Sequence, residues 1–130
     1  GNHVFGGCRS ATRIVFPKYL TYLPGSGVSF CNYMVEFVFP ENVKSISNYF
    51  FYGCISLKEI VIPDTVTTID FRAFWDCTSL TRITIPASVT KIDSTAFDGC
   101  KKDKLVWVVT PGSYAETYAK KNYYHYVYAK

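Results

Sequence analysis

The chain has 130 residues, a formal net charge of +4 at pH 7, 48% hydrophobic residues and an aromatic share of 18%, made up of 11 Tyr, 10 Phe and 2 Trp. That length supports one domain with a sustained core and excludes two of ordinary size. No run of about 18 apolar residues is present, so no segment reads as a membrane-spanning helix, and no secretory, sorting or lipidation signal occurs.

Taken from its start, the chain opens at His3-Val4-Phe5 in the middle of a pattern that then recurs. The leading Gly1 before this mid-pattern start reads as a cloning remnant, and the chain as the C-terminal piece of a longer protein whose targeting signals lie elsewhere. Cys8, Cys31, Cys54, Cys77 and Cys100 follow one another at steps of 23 residues, and Pro17, Pro40, Pro63 and Pro86 keep the same step. A fixed period of this length is the mark of a stacked repeat. Between the cysteines and prolines stand Ala11, Met34, Leu57 and Leu80, then Ile14, Phe37, Ile60 and Ile83, then Phe16, Phe39, Ile62 and Ile85. Past the prolines come Leu20, Val43, Val66 and Val89, then Leu23, Ile46, Ile69 and Ile92, and finally Phe5, Val28, Phe51, Phe74 and Phe97. One such unit has nothing to cover its apolar side, so it gains a core only by stacking on its neighbours. The β-branched alternation through Ile60 and Ile62 predicts a short strand, ended at the corner by a proline that lacks a backbone donor. Parallel strands are expected near Ile14, Phe37, Ile60, Ile83 and Trp107, stacked in register.

The run C-x-S-L-x-x-I-x-I-P at Cys54–Pro63 and Cys77–Pro86, with V-T-x-I-D at Val66–Asp70 and Val89–Asp93 and A-F-x-x-C at Ala73–Cys77 and Ala96–Cys100, resembles the BspA-like leucine-rich repeat of bacterial and some protozoan surface proteins. The resemblance covers about residues 4 to 111. It implies an α/β repeat solenoid: a leucine-rich-repeat superhelix of 23-residue rungs with a parallel β-sheet on one face. Residues 1–111 are read as the rungs, the first partial, and residues 112–130 as the cap. Residues 24–36 depart from the pattern, with Gly, Ser and Val28 in place of the A-F segment and Met34 for leucine, so the outer curve of the second rung is expected to be irregular there.

The cysteines lie too far apart in sequence for a metal cluster, and in-register stacking aligns their vectors poorly for disulfides. They read as small buried hydrophobes with reduced thiols. The end of the chain changes character. Leu105 and Pro111 each come two residues late, which leaves either Val108 and Thr110 or Trp107 and Val109 facing inward. Ser113 followed by Glu116 predicts a capping box and a helix over about Tyr114–Lys121, with Tyr114, Ala115, Tyr118 and Ala119 on one stripe. Asn122 suits a left-handed helix end, and Tyr123–Tyr128 suits a final edge strand. The run Gly112–Ala119 also resembles the ending of this family. Six lysines (101, 102, 104, 120, 121 and 130) against Asp103 and Glu116 carry the whole charge excess. They read as a solvated cap, since no nucleic-acid motif accompanies them.

No catalytic, metal or cofactor constellation is present: no nucleophile with an adjacent base, no phosphate loop and no zinc motif. Function is therefore expected on the surface of the coil. If Ile60 and Ile62 face inward, the outward rows are Arg13, Glu36, Glu59 and Arg82 beside Val15, Val38, Val61 and Thr84. Tyr49, Tyr52 and Trp75 occupy turn columns that elsewhere hold Arg72, Thr95 and Asp98, and are candidate anchors for a protein or a glycan. The resemblance implies a non-catalytic extracellular or cell-surface module that binds host or neighbouring-cell proteins, with no nucleic acid. The competing reading is a structural spacer or an accessory repeat of a larger surface protein. A binder should carry a contiguous exposed apolar or aromatic patch, and a spacer should not.

Overall fold

A computed structural model describes residues 10–130; the readings placed on His3, Val4, Phe5 and Cys8 lie outside the described residues. In chain order the elements are β1 (Arg13–Val15), β2 (Glu36–Val38), β3 (Ser45–Ile46), β4 (Glu59–Val61), β5 (Thr68–Ile69), β6 (Arg82–Ile85), β7 (Lys91–Ile92), β8 (Val106–Val109), α1 (Tyr114–Lys121) and β9 (His125–Tyr128). Every pairing is parallel, as β1–β2, β4–β6–β8–β9 and β3–β5–β7. Partners one rung apart in sequence face each other: Ile14 with Phe37, Ile60 with Ile83, Ile69 with Ile92. The coil is the expected leucine-rich-repeat solenoid.

The columns become the core. Leu57, Leu80, Val43, Val66, Val89, Ile46 and Ile69 are fully buried. Phe51, Phe74 and Phe97 stack nearly parallel, with centroids 4.9 and 5.0 Å apart. After each proline the chain turns, as where the Val66 amide donates to the Pro63 carbonyl. Corner hydroxyls then tie rung to rung: Thr65 Oγ1 donates to the Val43 carbonyl and Ser88 Oγ to that of Val66, each at 2.7 Å.

The cysteines do more than fill space. Cys31, Cys54 and Cys77 are buried and Cys100 half-buried. The thiols of Cys54, Cys77 and Cys100 each donate to a backbone carbonyl of the preceding rung, at Val28, Phe51 and Phe74, over 3.3, 3.1 and 3.2 Å. Each thus satisfies a turn carbonyl as well as the core.

Residues 24–36 keep the regular backbone. Residues 25–30 form the same continuous turn as 48–53, and the amides of Ser26, Val28 and Phe30 bond to the carbonyls of Asn48, Phe50 and Tyr52. The expected irregularity is absorbed by side chains. Phe50 stands in the column of Ala73 and Ala96, and its ring lies where a Cβ on Gly27 would be, 2.1 Å from Cε1.

Among the described residues, one step of the stack β1–β2–β4–β6–β8 is open. β2 and β4 share no ladder, although β3 and β5 join the same two rungs. Two causes coincide there. Phe37 and Phe39 replace the isoleucines of the later rungs, and their rings crowd against Phe50 and Phe51 at 5.4, 5.2 and 6.1 Å. Glu36 and Glu59 would also face each other directly, and like charges across strands repel.

The last rung settles its orientation. Ile83 pairs with Trp107, and Leu105, Trp107 and Val109 are fully buried, so the alternating reading holds and the strict shift does not. Helix α1 and strand β9 close the coil as expected. Ser113 Oγ accepts from the Glu116 amide at 3.2 Å. The reciprocal half differs: Glu116 Oε1 accepts from the Gly112 amide at 2.8 Å, because the Ser113 amide is already bound to the Thr110 carbonyl. Asn122 is not left-handed; Tyr123 is, at φ 62°. Asn122 instead donates from its amide side chain to the Tyr118 carbonyl.

Candidate interaction surfaces

The strand face carries the predicted rows outward. Arg13, Glu36, Glu59 and Arg82 are exposed, as are Val15 and Val61, while Val38 and Thr84 are half-buried. Arg13 and Glu36 are register partners joined by an ion pair of 3.1 Å between Nε and Oε1. Glu59 and Arg82 are register partners too, yet among the described residues Glu59 has no ion pair. Between the two halves of the row the open step forms a groove of about 370 Å³, lined by Val35, Glu36, Phe37, Glu59, Ile60 and Val61. Sequence reasoning placed the rows but not the groove, which depends on ring packing beneath the strands.

The turn face gathers the predicted aromatics. Tyr52 and Trp75 stack at 4.7 Å with planes 14° apart, and Tyr49 lies 5.8 and 6.2 Å from them. Three further residues join them. Phe30 meets Tyr52 at 4.5 Å and Phe71 meets Tyr49 at 5.5 Å. The Arg72 guanidinium lies 4.1 Å from the Trp75 centroid and 4.9 Å from that of Phe71. Phe30 and Phe71 are exposed and the other members are half-buried, so the rings make one contiguous patch over three rungs. Phe30, Tyr49 and Arg72 hold left-handed backbone at φ 60°, 59° and 51°, a region costly for bulky side chains. The signal for Phe30 was present in the sequence, since it shares a column with Gly53 and Gly99. Arg72 shares the Tyr49 column and reads in the sequence only as a non-aromatic turn residue, because its stacking on Trp75 depends on how the turn folds back.

The groups held off their ordinary protonation range lie outside both surfaces. Burial pushes the Cys54 and Cys77 thiols upward. Hydrogen bonds from Thr95 hold Asp93 below the usual carboxylate range. Among the described residues no group of three His, Cys, Asp or Glu could hold a metal, and no helix is long and apolar enough to cross a membrane.

Comparison with known proteins bears on these surfaces. The BspA type leucine rich repeat region matches residues 1–106 in six copies. A leucine rich cell surface protein from Faecalibacterium prausnitzii superposes with a TM-score of 0.79 at 32% identity over 88% of this chain. The Treponema pallidum leucine rich repeat protein gives 0.74 at 28% identity over 79%, and a leucine-rich repeat protein from Bacteroides ovatus 0.67 at 28% over 84%. The chain spans only 30%, 48% and 28% of those proteins. No curated protein matches it.

Proposed function

The chain belongs to the BspA type leucine-rich repeat family, and from that premise we propose that it is a non-catalytic protein-binding module of a cell-surface or secreted protein, engaged in adhesion. The observation that carries this reading is the contiguous patch of Phe30, Tyr52, Trp75, Tyr49 and Phe71, with Arg72 against it. A spacer needs no such patch. Exposed aromatics clustered with an arginine are the composition of interface anchors. The stacking also favours a protein over a glycan, because Tyr52 and Arg72 already lie against the Trp75 indole that a sugar would need. The relative described as a cell surface protein supports the location.

The strand face serves as the second half of the contact, since its rows present charge beside valine. The test begins with a partner isolated by affinity from surface extracts, identified, and prepared pure. Its saturable binding should fall at least tenfold with Trp75→Ala, and with Glu36→Lys plus Glu59→Lys, while the melting temperature stays nearly constant. Charge reversal removes complementarity without touching the core. Because it stacks four cations in one column, Glu36→Gln with Glu59→Gln is the control. Unchanged binding by all three variants would favour the spacer.

A further inference from the structure

The groove between β2 and β4 has features that the rest of the strand face lacks. The Arg82 amide bonds to the Lys58 carbonyl and the Ile62 amide to that of Thr84, so residues 58, 60 and 62 turn their backbone groups toward β6. By alternation, Glu59 and Val61 turn theirs toward β2. On the other side the Glu36 amide bonds to Thr12 and the Val38 carbonyl accepts from Phe16, which leaves Phe37 turned toward β4. The two edges do not pair. The groove therefore holds unpaired main-chain carbonyls and amides over a floor of Phe37 and Ile60, between the carboxylates of Glu36 and Glu59.

Resting on the reading of the strand face as a partner surface, we infer that this groove is the socket for one arginine side chain presented by a protein partner. Charge selects a cation. Glu36 and Glu59 occupy the one like-charged step of the row, and Glu59 has no cation of its own among the described residues. Shape selects a guanidinium. A volume of about 370 Å³ is an order of magnitude beyond the roughly 30 Å³ share of one water, so a bare ion would float. A planar group with five donors can bridge two carboxylates and still reach an unpaired carbonyl, whereas an ammonium is a point charge. The apolar stem of arginine then lies along Val35 and Val61.

The probe is N-acetyl-arginine methylamide, titrated into the ¹⁵N-labelled chain with the neutral isostere N-acetyl-citrulline methylamide and calcium chloride as comparators. Saturable shifts are expected at the amides of Phe37, Glu59 and Val61 in the millimolar range, at least fivefold weaker for citrulline. Glu59→Gln, an exposed change that leaves the core intact, should weaken them fivefold, whereas Glu41→Gln should not. Shifts scattered over the surface, or equal for citrulline, overturn the inference. So does tighter binding of calcium at the same amides, which would make the groove a metal site. Should the arginine probe fail while Glu36→Lys plus Glu59→Lys still abolishes partner binding, the socket falls and the partner surface stands.

Discussion

Phe50 fills a column that is alanine in the next two rungs, and it fits only because Gly27 lacks a side chain. Its ring is boxed by Phe16, Phe37 and Phe51 at 5.5, 5.4 and 4.8 Å, so it has nowhere to retreat. Gly27→Ala should cost about 1–3 kcal/mol by overpacking. In a Phe50→Ala background, itself about 3–5 kcal/mol less stable, the same change should be neutral or stabilise slightly by restricting the unfolded chain. Urea unfolding of the four proteins gives the coupling; equal costs in both backgrounds would mean the ring does not lie over Gly27 in solution. The thiols give a second test at this scale. Burial first, then the neighbouring cysteines, pushes Cys54 and Cys77 above the ordinary value of 9.0. A thiol raised in the folded state contributes stability below its unfolded value and loses it as pH rises toward the folded one. The melting temperature should thus hold to about pH 8 and fall above about pH 9, and a thiol reagent at pH 8 should find Cys54 and Cys77 only after denaturation. Burial of the cysteine column was legible from its period. The bonds from thiol to carbonyl were not, because they depend on how the next turn presents its backbone.

At the scale of elements, β8, α1 and β9 close the coil around Trp107, which stacks on Tyr118 at 5.4 Å and Tyr124 at 4.8 Å. The helix and its cap were readable because the Ser113–Glu116 spacing and the Ala115–Ala119 stripe are local signals. The orientation of β8 was not, since two inserted residues leave both faces apolar and only the register with Ile83 decides. Burial raises the Tyr118 phenol to about 12, in keeping with a packing role. Glu116 is the hinge of the cap: its carboxylate accepts from the Tyr128 hydroxyl of β9 as well as from the Gly112 amide, with Lys120 nearby. The Tyr128 bond, then the Gly112 amide, holds Glu116 below its ordinary 4.5. A depressed carboxylate contributes stability above its unfolded value and loses it as pH falls through the folded one. Thermal stability should decline below about pH 4.5, with a shallower acid limb in Glu116→Gln and a partial flattening in Tyr128→Phe. Asp93, held down by Thr95, should keep some acid dependence in both. An unchanged limb in Glu116→Gln would show that the cap is not tied through this carboxylate.

Across the whole molecule, the fold is a sum of rungs and the joints between them, and the joint between the β2 and β4 rungs is unlike the others. It lacks hydrogen bonds between β2 and β4, each worth about 0.5–1.5 kcal/mol. The β3–β5 ladder, the bonds from the Tyr49 and Phe51 amides to the Phe71 and Ala73 carbonyls and the stack of Phe51 on Phe74 at 4.9 Å still join the same two rungs. The joint therefore stays closed on its other sides while these strand edges remain open. The period made the sheet legible from the sequence but hid this gap, because Phe and Ile count alike as apolar residues and differ only in the spacing they impose. Hydrogen exchange separates the two cases. The amides of Phe37, Glu59 and Val61 should exchange much faster than those of Ile60 and Ile62, which point to β6 from the same strand. The aligned pair Gly27→Ala with Phe50→Ala restores the small column of the later rungs and removes one ring of the wedge, the one packed on Phe37. In that variant the strands can approach, and protection of Phe37, Glu59 and Val61 should rise toward that of Ile60 even as global stability falls. The opposite signs matter, since a merely loosened protein would exchange faster everywhere. Protection of Val61 equal to that of Ile60 in the parent chain would mean that the ladder is continuous in solution, and the groove with its arginine socket would close with it.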